Sequence, residues 1–297
     1  MWVRVLGSAA GGGFPQWNCN CPQCQGVRNG SRLCRPRTQS SVAVSTDYRR
    51  WFLLNASPDI RCQFESFPAL HPSGIRDSPL QAVLLTDAEL DHTLGLLMLR
   101  EADRVAVHAT EAVYEILESG TSLLRTLSVY TRVEWHPVRL DQEVPLADGL
   151  SYVAFPVPLE KPARFQSEKK EGLSIGYRIT DHRTGRSLVY APSVQELAPS
   201  VLAYCEGCAC LLFDGTFWQD DEMIRLGISR KTARQMGHLP ISGPNGSLEQ
   251  LASLPIPRKI YIHINNTNPI LLEDAPERRT VEEHGFEVAA DGLELEI

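Results

Sequence analysis

Three cysteines near the start of the chain are close enough to share one metal ion. Cys19, Cys21 and Cys24 fall within six residues, in the run Asn18-Cys19-Asn20-Cys21-Pro22-Gln23-Cys24. Thiols this close do not readily form disulfides with each other, but a loop that contains proline can turn all three sulfurs inward. Thiolate ligands favour zinc in a closed structural site. The spacing therefore predicts a structural zinc site, in a loop over about residues 18–34.

The other cysteines are interpreted from their surroundings. The fourth ligand of the zinc site stays open among Cys34, a residue nearer the C-terminus such as Asn266 or Asn268, and a free histidine. A second cluster leads directly into a strand-like apolar run, so its thiols are expected to pack in the core, where free cysteine is common. The members of this second cluster are Cys205, Cys208 and Cys210.

An acidic cluster follows the apolar run Ala82-Val83-Leu84-Leu85, where a strand passes into an apolar helix. Its members are Asp87, Glu89, Asp91 and His92. Carboxylates this close repel each other unless a cation or protons compensate their charge, and active sites often lie at the carboxyl end of a strand. The alternative is an ordinary helix start, because acidic residues are favoured at a helix N-terminus.

Three polar residues elsewhere in the chain favour a metal site over an ordinary helix start. Asp214 ends the apolar run Leu211-Leu212-Phe213, and His263 lies in a third apolar strand that passes into a series of amides. His238 lies in the loop Gly237-His238-Leu239-Pro240. Strand ends from separate parts of a chain can converge on one site, although a lone strand histidine is more often a structural residue with its hydrogen bonds satisfied.

The composition is that of an ordinary globular protein and excludes several classes. The chain has 297 residues, a net charge of -7 and 43% apolar residues, which excludes collagen-like, coiled-coil and wholly disordered proteins. The mildly acidic balance argues against a nucleic-acid partner. The longest dense apolar run, Leu94 to Leu99, is far below the ~20 residues that span a bilayer. With no secretory signal at the start, we expect a cytoplasmic protein without a membrane span, in which clustered thiols are candidates for metal binding.

The elements that position these residues alternate short strands with helices, and we expect one domain over residues 1–297. The predicted strands are Val3–Leu6, Ser41–Ser45, Trp51–Asn55, Ala82–Thr86, Val105–His108, Val133–Trp135, Tyr152–Pro156, Ser174–Ile179, Leu188–Tyr190, Cys210–Asp214 and Lys259–Ile264. The predicted helices are Pro58–Phe64, Leu90–Arg100, Glu111–Glu118, Val194–Tyr204, Ser247–Leu254 and Pro276–His284. This order favours two sheets packed face to face and covered by helices. The charged segment Arg164–Glu171 is expected to form a mobile loop.

These segments together resemble the metallo-β-lactamase family. The family pattern His-x-His-x-Asp-His is matched at its last two positions by Asp91 and His92, while Asp87 and Glu89 stand at its first two histidine positions. The resemblance implies an α/β fold of four layers, an αββα sandwich.

The remaining ligand positions of the family are matched in part. Asp214 corresponds to its bridging aspartate and His263 to its final histidine ligand, and His238 falls where relatives of the tRNase Z type carry an accessory histidine. The segment Tyr152–Pro158 contains no histidine for the mid-chain ligand. A binuclear zinc hydrolase needs enough ligands for two ions, so we expect hydrolase activity to be lost.

A narrower resemblance covers essentially the whole chain. It is to the B proteins of pyrroloquinoline quinone (PQQ) biosynthesis, and it rests on the segments Gly7–Cys21, Thr86–His92, Asp214–Trp218, Met236–Ser242 and Ile262–Pro269. It implies a place in making PQQ from a ribosomal precursor peptide. Two functions are implied for such proteins: an iron-dependent hydroxylase of the precursor's tyrosine, or a carrier that aids transport of PQQ or its precursor to the periplasm.

The hydroxylase function can be expressed as roles for individual residues. His92, His263 and one carboxylate, Asp91 or Asp214, supply the ligand types of an iron(II) site with two histidines and one carboxylate. The expected cofactors are thus structural zinc and, at the second site, Fe(II) or another divalent metal. The residues expected to act in catalysis are His238, as acid or base, and Asp87 and Glu89, which tune the metal or hold a proton. The expected partner is the PQQ precursor peptide or a late PQQ intermediate. Trp2, Trp51 and Trp135 are candidates for either the core or a subunit interface, so a homodimer is also compatible with the sequence.

Overall fold

Two seven-stranded sheets face each other in the computed structural model of the chain, which describes residues 1–160, 164–165 and 170–297. The strands are β1 Trp2–Gly7, β2 Ser41–Ser45, β3 Trp51–Leu54, β4 Leu80–Leu84, β5 Arg104–Ala109, β6 Arg132–Pro137, β7 Glu143–Pro145, β8 Leu150–Pro156, β9 Ile175–Asp181, β10 Arg186–Ala191, β11 Cys210–Asp214, β12 Arg258–Ile262, β13 Phe286–Val288 and β14 Glu294–Glu296. The order of the first sheet is β14-β1-β2-β3-β4-β5-β6, and that of the second is β13-β12-β11-β10-β9-β8-β7.

Short helices connect and cover the sheets. The α-helices are α1 Pro22–Asn29, α2 Ile60–Glu65, α3 Leu90–Thr93, α4 Glu111–Glu115, α5 Leu123–Leu127, α6 Pro199–Cys205, α7 Glu222–Arg225, α8 Ala233–Met236, α9 Ser247–Ala252 and α10 Pro276–Glu283. Pro68–Leu70, Leu94–Leu99 and Pro269–Leu271 form 3₁₀ turns, and Ile116–Gly120 a π turn. No helix in the described parts of the chain is both long and apolar enough to cross a membrane.

Each sheet is mixed, and its parallel half directs strand ends to one edge. The pairs β3–β4, β4–β5 and β5–β6 are parallel in the first sheet, as are β10–β11, β11–β12 and β12–β13 in the second. Parallel neighbours have their carboxyl ends at the same edge, where functional residues of open α/β sheets collect. The segments that follow β4, β11 and β12 therefore meet, although they are far apart in sequence.

Three apolar layers hold the sandwich together. The central layer lies between the sheets and includes Val5 and Leu84 from the first and Tyr177 and Ile260 from the second. One outer layer packs α2, α4 and α5 on the first sheet, and the other packs α6, α9 and α10 on the second. The predicted αββα sandwich is thus confirmed, because both sheets bury both of their faces.

Several predicted helix boundaries were wrong. The helix predicted from Val194 begins at Pro199, because the residue before a proline avoids helical geometry and Ala198 is extended. The predicted helix Leu90–Arg100 is α-helical only over α3 and continues as a 3₁₀ turn. The cysteine-rich segment was expected to be a loop but contains α1, which Cys21 caps by accepting a hydrogen bond from the backbone of Cys24. Residues 166–169 of the expected mobile loop lie outside the described residues.

Candidate active site

The segment between β4 and α3 wraps around the carboxylate of Asp87. One oxygen of this buried side chain accepts the backbone N–H of Glu89 at 2.9 Å, and the other accepts the hydroxyl of Thr86 at 3.0 Å. Nδ1 of His92 lies 2.8 Å from the same carboxylate. Asp87 therefore fixes the orientation of the His92 ring and sets Nδ1 as the protonated nitrogen, as carboxylates do for metal-binding histidines.

The opposite nitrogen of His92 faces two other donor residues. Its Nε2 is buried and has no hydrogen-bond partner among the described residues. Nε2 lies 3.9 Å from Oδ2 of Asp91, and that oxygen lies 3.1 Å from Nε2 of His263. One donor atom from each of these three residues falls within 4.8 Å of the others. A buried nitrogen without a partner is rare in native proteins, and a cation bound by these three residues would satisfy it.

A second group of donors shares His263. It consists of Asp214 at the end of β11, His238 and His263. Asp214 accepts a hydrogen bond from Nδ1 of His238 at 2.8 Å. The backbone of His263 has a φ of 58°, in the left-handed region that non-glycine residues rarely adopt, and such strain is concentrated at functional sites. The two groups lie side by side and have one imidazole in common.

Counting protons indicates that a positive charge is missing from this network. The hydroxyl of Thr216 lies 2.6 Å from Asp214 Oδ1 and 2.8 Å from His263 Nδ1. If it donates to the carboxylate, Nδ1 of His263 must carry the ring proton, and the bare Nε2 then faces the carboxylate of Asp91. If Nε2 of His263 carries the proton instead, the Thr216 hydroxyl must donate to Nδ1. No hydrogen then lies between that hydroxyl and Asp214 Oδ1. A cation between His263 and Asp91 resolves the conflict.

The pKa values of the site show the same excess of negative charge. Burial disfavours the charged ring of His92, but Asp87 and Asp91 outweigh it and raise the pKa of His92 to about 9. Burial lowers the pKa of His263. Burial also opposes ionisation of Asp91, yet the charge of His92 holds the pKa of that carboxyl below its usual range. The two carboxylates therefore favour a positive charge at His92, which a bound divalent cation would supply in place of a proton.

The two carboxylates at the histidine positions of the family pattern have different environments. Asp87 is buried against His92, whereas Glu89 is half-exposed and its carboxylate lies 3.6 Å from Nε of Arg164. Neither residue belongs to the two donor groups found among the described residues. The structure therefore separates the expected metal residues from the expected catalytic carboxylates Asp87 and Glu89.

A cavity of about 490 Å³ opens onto the donor groups through Asp91 and His238. Glu89 and Arg164 also line it, together with the backbone of Gly11 and Gly12. Its remaining wall is mostly apolar, with the side chains of Leu90, Leu94, Ile116, Leu159, Phe165, Leu173 and Met236. An apolar cavity with a few convergent polar groups is typical of a small-molecule site.

The predicted thiol site is also brought together. Cys19, Cys21 and Cys24 form a third donor group, and Nδ2 of Asn266 lies 3.1, 3.6 and 3.3 Å from their sulfurs. Because a flip of the side-chain amide exchanges its nitrogen and oxygen with little change of shape, Asn266 can also present its oxygen to an ion at this point. Of the candidate fourth ligands, Asn268 instead bonds the backbone of Gly215, Thr216 and Ile270.

Two further cysteine predictions can be compared with the structure. Cys34 contacts the carbonyl oxygen of Arg32 through its sulfur and is not in the thiol group. Cys205, Cys208 and Cys210 are buried in the core and form no donor group within the described ranges, as expected for thiols that pack.

Comparison with known proteins first defines the class. Residues 50–264 match the family model described as a beta-lactamase superfamily domain. Together with the facing sheets and the donor residues at their shared edge, this match makes the chain a metallo-β-lactamase-fold protein.

Similarity over the full length then defines the family. The chain is 51% identical to coenzyme PQQ synthesis protein B of Methylococcus capsulatus, over 99% of both chains, and 49% identical to that of Azoarcus sp., over 100% of both. The crystal structure of Zn²⁺-bound PqqB from Methylobacterium extorquens has a TM-score of 0.91 and 42% identity, with both chains fully covered. The chain belongs to the PqqB family, that of coenzyme PQQ synthesis protein B, and so takes part in PQQ synthesis.

Proposed function

We propose that the chain is an iron-dependent oxygenase that hydroxylates the tyrosine of the PQQ precursor, with Asp91, His92 and His263 as the metal ligands. The observation that carries the proposal is the unpartnered Nε2 of His92, which faces a carboxylate and a second imidazole. Two histidines and one carboxylate are the donor set of non-haem iron(II) oxygenases, in which the metal activates molecular oxygen and has open positions for substrate.

The number of donors favours one ion over the two of a hydrolase. Both donor groups use His263, so a second ion would compete for the same imidazole. Asp87 is occupied by His92, and Glu89 is oriented toward Arg164, which leaves no side chain from the first two motif positions for a second ion. Binuclear hydrolysis needs two ions and a bridging hydroxide, and this arrangement does not support it.

His238 is the residue we assign to proton transfer. Its ring lines the cavity, and its Nδ1 is held by Asp214 at 2.8 Å. We assign the other ring nitrogen to accept a proton from a phenol bound in the cavity. Asp87, in contrast, acts through His92 and is a positioning residue.

The cavity fits the side chain that we propose as substrate. Its apolar wall suits an aromatic ring, and its volume of about 490 Å³ is within the range of small-molecule sites. The Glu89–Arg164 pair lies at the same cavity and can contact the charged groups of an amino acid. We therefore propose that the partner is a short segment of the PQQ precursor peptide or a late PQQ intermediate.

We further propose a structural zinc ion at Cys19, Cys21 and Cys24, with Asn266 as the fourth ligand. The M. extorquens relative is described as Zn²⁺-bound, and the three sulfurs surround the amide of Asn266. Asn266 follows His263 by three residues. Zinc at this site would therefore attach the segment that contains His263, a proposed iron ligand, to the cysteine-rich segment of the proposed single domain (residues 1–297).

The function is tested by loading metal-free protein with iron(II) under anaerobic conditions, and then adding oxygen and precursor. We expect oxygen uptake and a mass gain of one oxygen atom on the tyrosine ring. His92→Ala and His263→Ala should abolish both, and zinc-loaded protein is the matched control. If the precursor binds wild type and these variants equally well without oxygen uptake, the oxygenase proposal fails and the carrier function is supported.

A further inference from the structure

A row of three buried tyrosines crosses the sandwich next to the proposed metal site. Tyr152, Tyr177 and Tyr190 come from the neighbouring strands β8, β9 and β10, and all three rings lie in the apolar layer between the sheets. Tyr190 and Tyr177 are direct cross-strand partners, and the ring centroids of Tyr177 and Tyr152 are 5.3 Å apart. We call these three residues the tyrosine row.

One end of the tyrosine row connects to the metal site through hydrogen bonds. The hydroxyl of Tyr190 lies 3.4 Å from Nδ2 of Asn55, which donates to Thr86 Oγ1 at 2.9 Å. Thr86 in turn donates to Asp87, the residue that orients His92. The contacts are therefore continuous from His92 to Tyr190.

The other end of the row reaches the surface. The hydroxyl of Tyr152 lies 3.0 Å from Nδ1 of His108, and the His108 ring stacks on that of His136 with 4.6 Å between centroids. His108 is buried, and His136 is exposed on β6, the last strand of the first sheet. The row thus joins the proposed metal site to an imidazole in contact with solvent.

Only one hydroxyl of the row has a base as its acceptor. Tyr177 donates to the carbonyl oxygen of Leu85 at 2.9 Å, and Tyr190 contacts a hydroxyl and an amide. Tyr152 has His108 as its sole partner in the described parts of the chain, so it must donate to Nδ1, since otherwise its own buried hydrogen would be unpaired. Burial and then the charge of His136 lower the pKa of His108 to about 4, which keeps the ring neutral and able to accept.

This arrangement has a chemical consequence. A phenol that loses an electron becomes a strong acid and must release its proton, which in a buried site requires a base within hydrogen-bond distance. Tyr152 has such a base and its two neighbours do not. An electron vacancy that entered the row would therefore settle on Tyr152, where the proton can move to His108.

We propose that the tyrosine row carries one-electron oxidising equivalents from the metal site to the surface, with Tyr152 as the radical and His108 as the acceptor of its proton. The proposal rests on the oxygenase function, and it applies when oxygen reacts at the site without substrate. Tyr152 gives one electron, through Tyr177 and Tyr190, to the metal site that oxygen has oxidised, and its proton moves to Nδ1 of His108. An external one-electron reductant such as ascorbate returns the electron near His136, and His108 returns the proton. This path would spare the metal ligands from oxidation.

The first experiment requires no iron. Zinc-loaded protein, in which the exposed Tyr48 and Tyr130 are replaced by phenylalanine, is oxidised by a flash-excited ruthenium tris(bipyridine) complex with persulfate and then frozen. We expect the electron paramagnetic resonance spectrum of a neutral tyrosyl radical that is hydrogen-bonded to an imidazole. In protein that retains Tyr152, Tyr177 and Tyr190, incorporation of ring-deuterated tyrosine should collapse the hyperfine splitting of this radical spectrum.

Variants locate the radical. Tyr152→Phe should abolish the signal. The matched control is Tyr261→Phe, because Tyr261 is also fully buried and donates or accepts one hydrogen bond, to Ser247 at 3.0 Å, outside the row. It should retain the signal. An equally intense radical in the Tyr152→Phe protein would overturn the proposal, as would the absence of any buried tyrosyl radical in the parent protein.

The second experiment separates this proposal from the oxygenase function. Iron-loaded protein receives oxygen without precursor, and oxygen uptake and the radical are measured together. Uptake with a radical on Tyr152 supports both proposals, and uptake without this radical overturns the tyrosine row as a path from the metal. If oxygen uptake is absent both with and without precursor, the oxygenase function is refuted. The photochemical experiment alone then tests whether Tyr152 forms the radical.

Discussion

At the scale of single residues, the environment of each carboxylate decides its role. Asp87 and Glu89 stand at the first and second histidine positions of one motif, two residues apart. Asp87 is buried and has three hydrogen-bond donors around it, whereas Glu89 is half-exposed beside Arg164. A buried carboxylate that orients an imidazole affects metal binding strongly even though it does not touch the metal.

The residue-scale prediction concerns metal affinity. The Asp87 carboxylate orients His92 and stabilises the tautomer whose Nε2 is free to bind metal. Asp87→Asn removes this charge, so the affinity for a divalent metal should fall by roughly 10- to 100-fold. Glu89→Gln is the matched control from the same motif, and its affinity should equal that of the wild type. Competition with a chelator for cobalt or zinc measures both. Equal affinities of the wild type and Asp87→Asn would contradict the assignment of Asp87.

At the scale of elements, the chain after β3 holds α3 in place. The backbone N–H of Ala56 donates to the carbonyl of His92 at 2.7 Å, and Gly95 donates to the carbonyl of Ala56 at 3.0 Å. A Cβ atom on Gly95 would lie 2.1 Å from the carbonyl oxygen of Ser57. The absence of a side chain at Gly95 therefore lets the helix approach closely enough to place His92.

Gly95→Ala tests this close approach. The added methyl group must push the 3₁₀ turn Leu94–Leu99, which continues α3, away from Ser57, and such overpacking costs about 1–3 kcal/mol of folding free energy. We expect a lower midpoint of urea unfolding together with weaker metal binding. Gly74→Ala is the control, because a Cβ atom there would find no heavy atom closer than 3.6 Å. If Gly95→Ala unfolds at the wild-type urea concentration, the contact is not restrictive.

The thiol site belongs to the same scale, because it joins α1 to the segment after β12. Cys21→Ser should lower the zinc content by one ion per chain and lower the melting temperature, while metal binding at the proposed second site is retained. Burial, strengthened by its thiol neighbours, raises the pKa of Cys21 to about 12, so this thiol needs a cation to ionise. Cys62→Ser, at an exposed thiol, is the control. Unchanged zinc content in Cys21→Ser would exclude the site.

At the scale of the whole molecule, buried hydroxyls join the two sheets across the central layer. Tyr177 bonds Leu85 and Tyr152 bonds His108, so strands β8 and β9 are tied to the first sheet by polar contacts in an otherwise apolar layer. Because each such group is costly to bury unpaired, these contacts fix how the sheets face each other.

The His108 contact predicts a dependence of stability on pH. Burial and His136 lower the pKa of His108 from 6.5 to about 4, so between these values the unfolded chain binds a proton that the native protein does not. Stability must therefore fall as the pH falls through this window, by about 1.4 kcal/mol per pH unit at most. In His108→Gln, this contribution of His108 to the pH dependence of the free energy of unfolding should be lost. In His71→Gln, at an exposed histidine, the pH dependence should be unchanged. Urea unfolding at pH 7 and pH 5 measures it, and parallel slopes in all three proteins would contradict it.

Much of the architecture follows from local patterns. Apolar runs that end in polar residues locate most of the strands, because strands buried on both faces are continuously apolar and turn chemistry is encoded within a few residues. Helix ends are less well predicted: α6 starts late because of Pro199, and Leu90–Leu99 changes helix type where it packs closely. The donor residues could be identified by type and position, since strand ends are where such residues collect.

By itself, the sequence determined which residues can do chemistry: the thiols, the acidic cluster after β4, and Asp214, His238 and His263. Only the tertiary structure decided how they combine. His263 and Asp91 are separated by 172 residues, and Asn266 and Cys19 by 247, so their contacts depend on the pairing of β11 with β12 and on the facing of the two sheets. The separate environments of Asp87 and Glu89 and the path through the tyrosine row arise from the same packing, because burial and hydrogen-bond partners are properties of the folded chain and not of its local sequence.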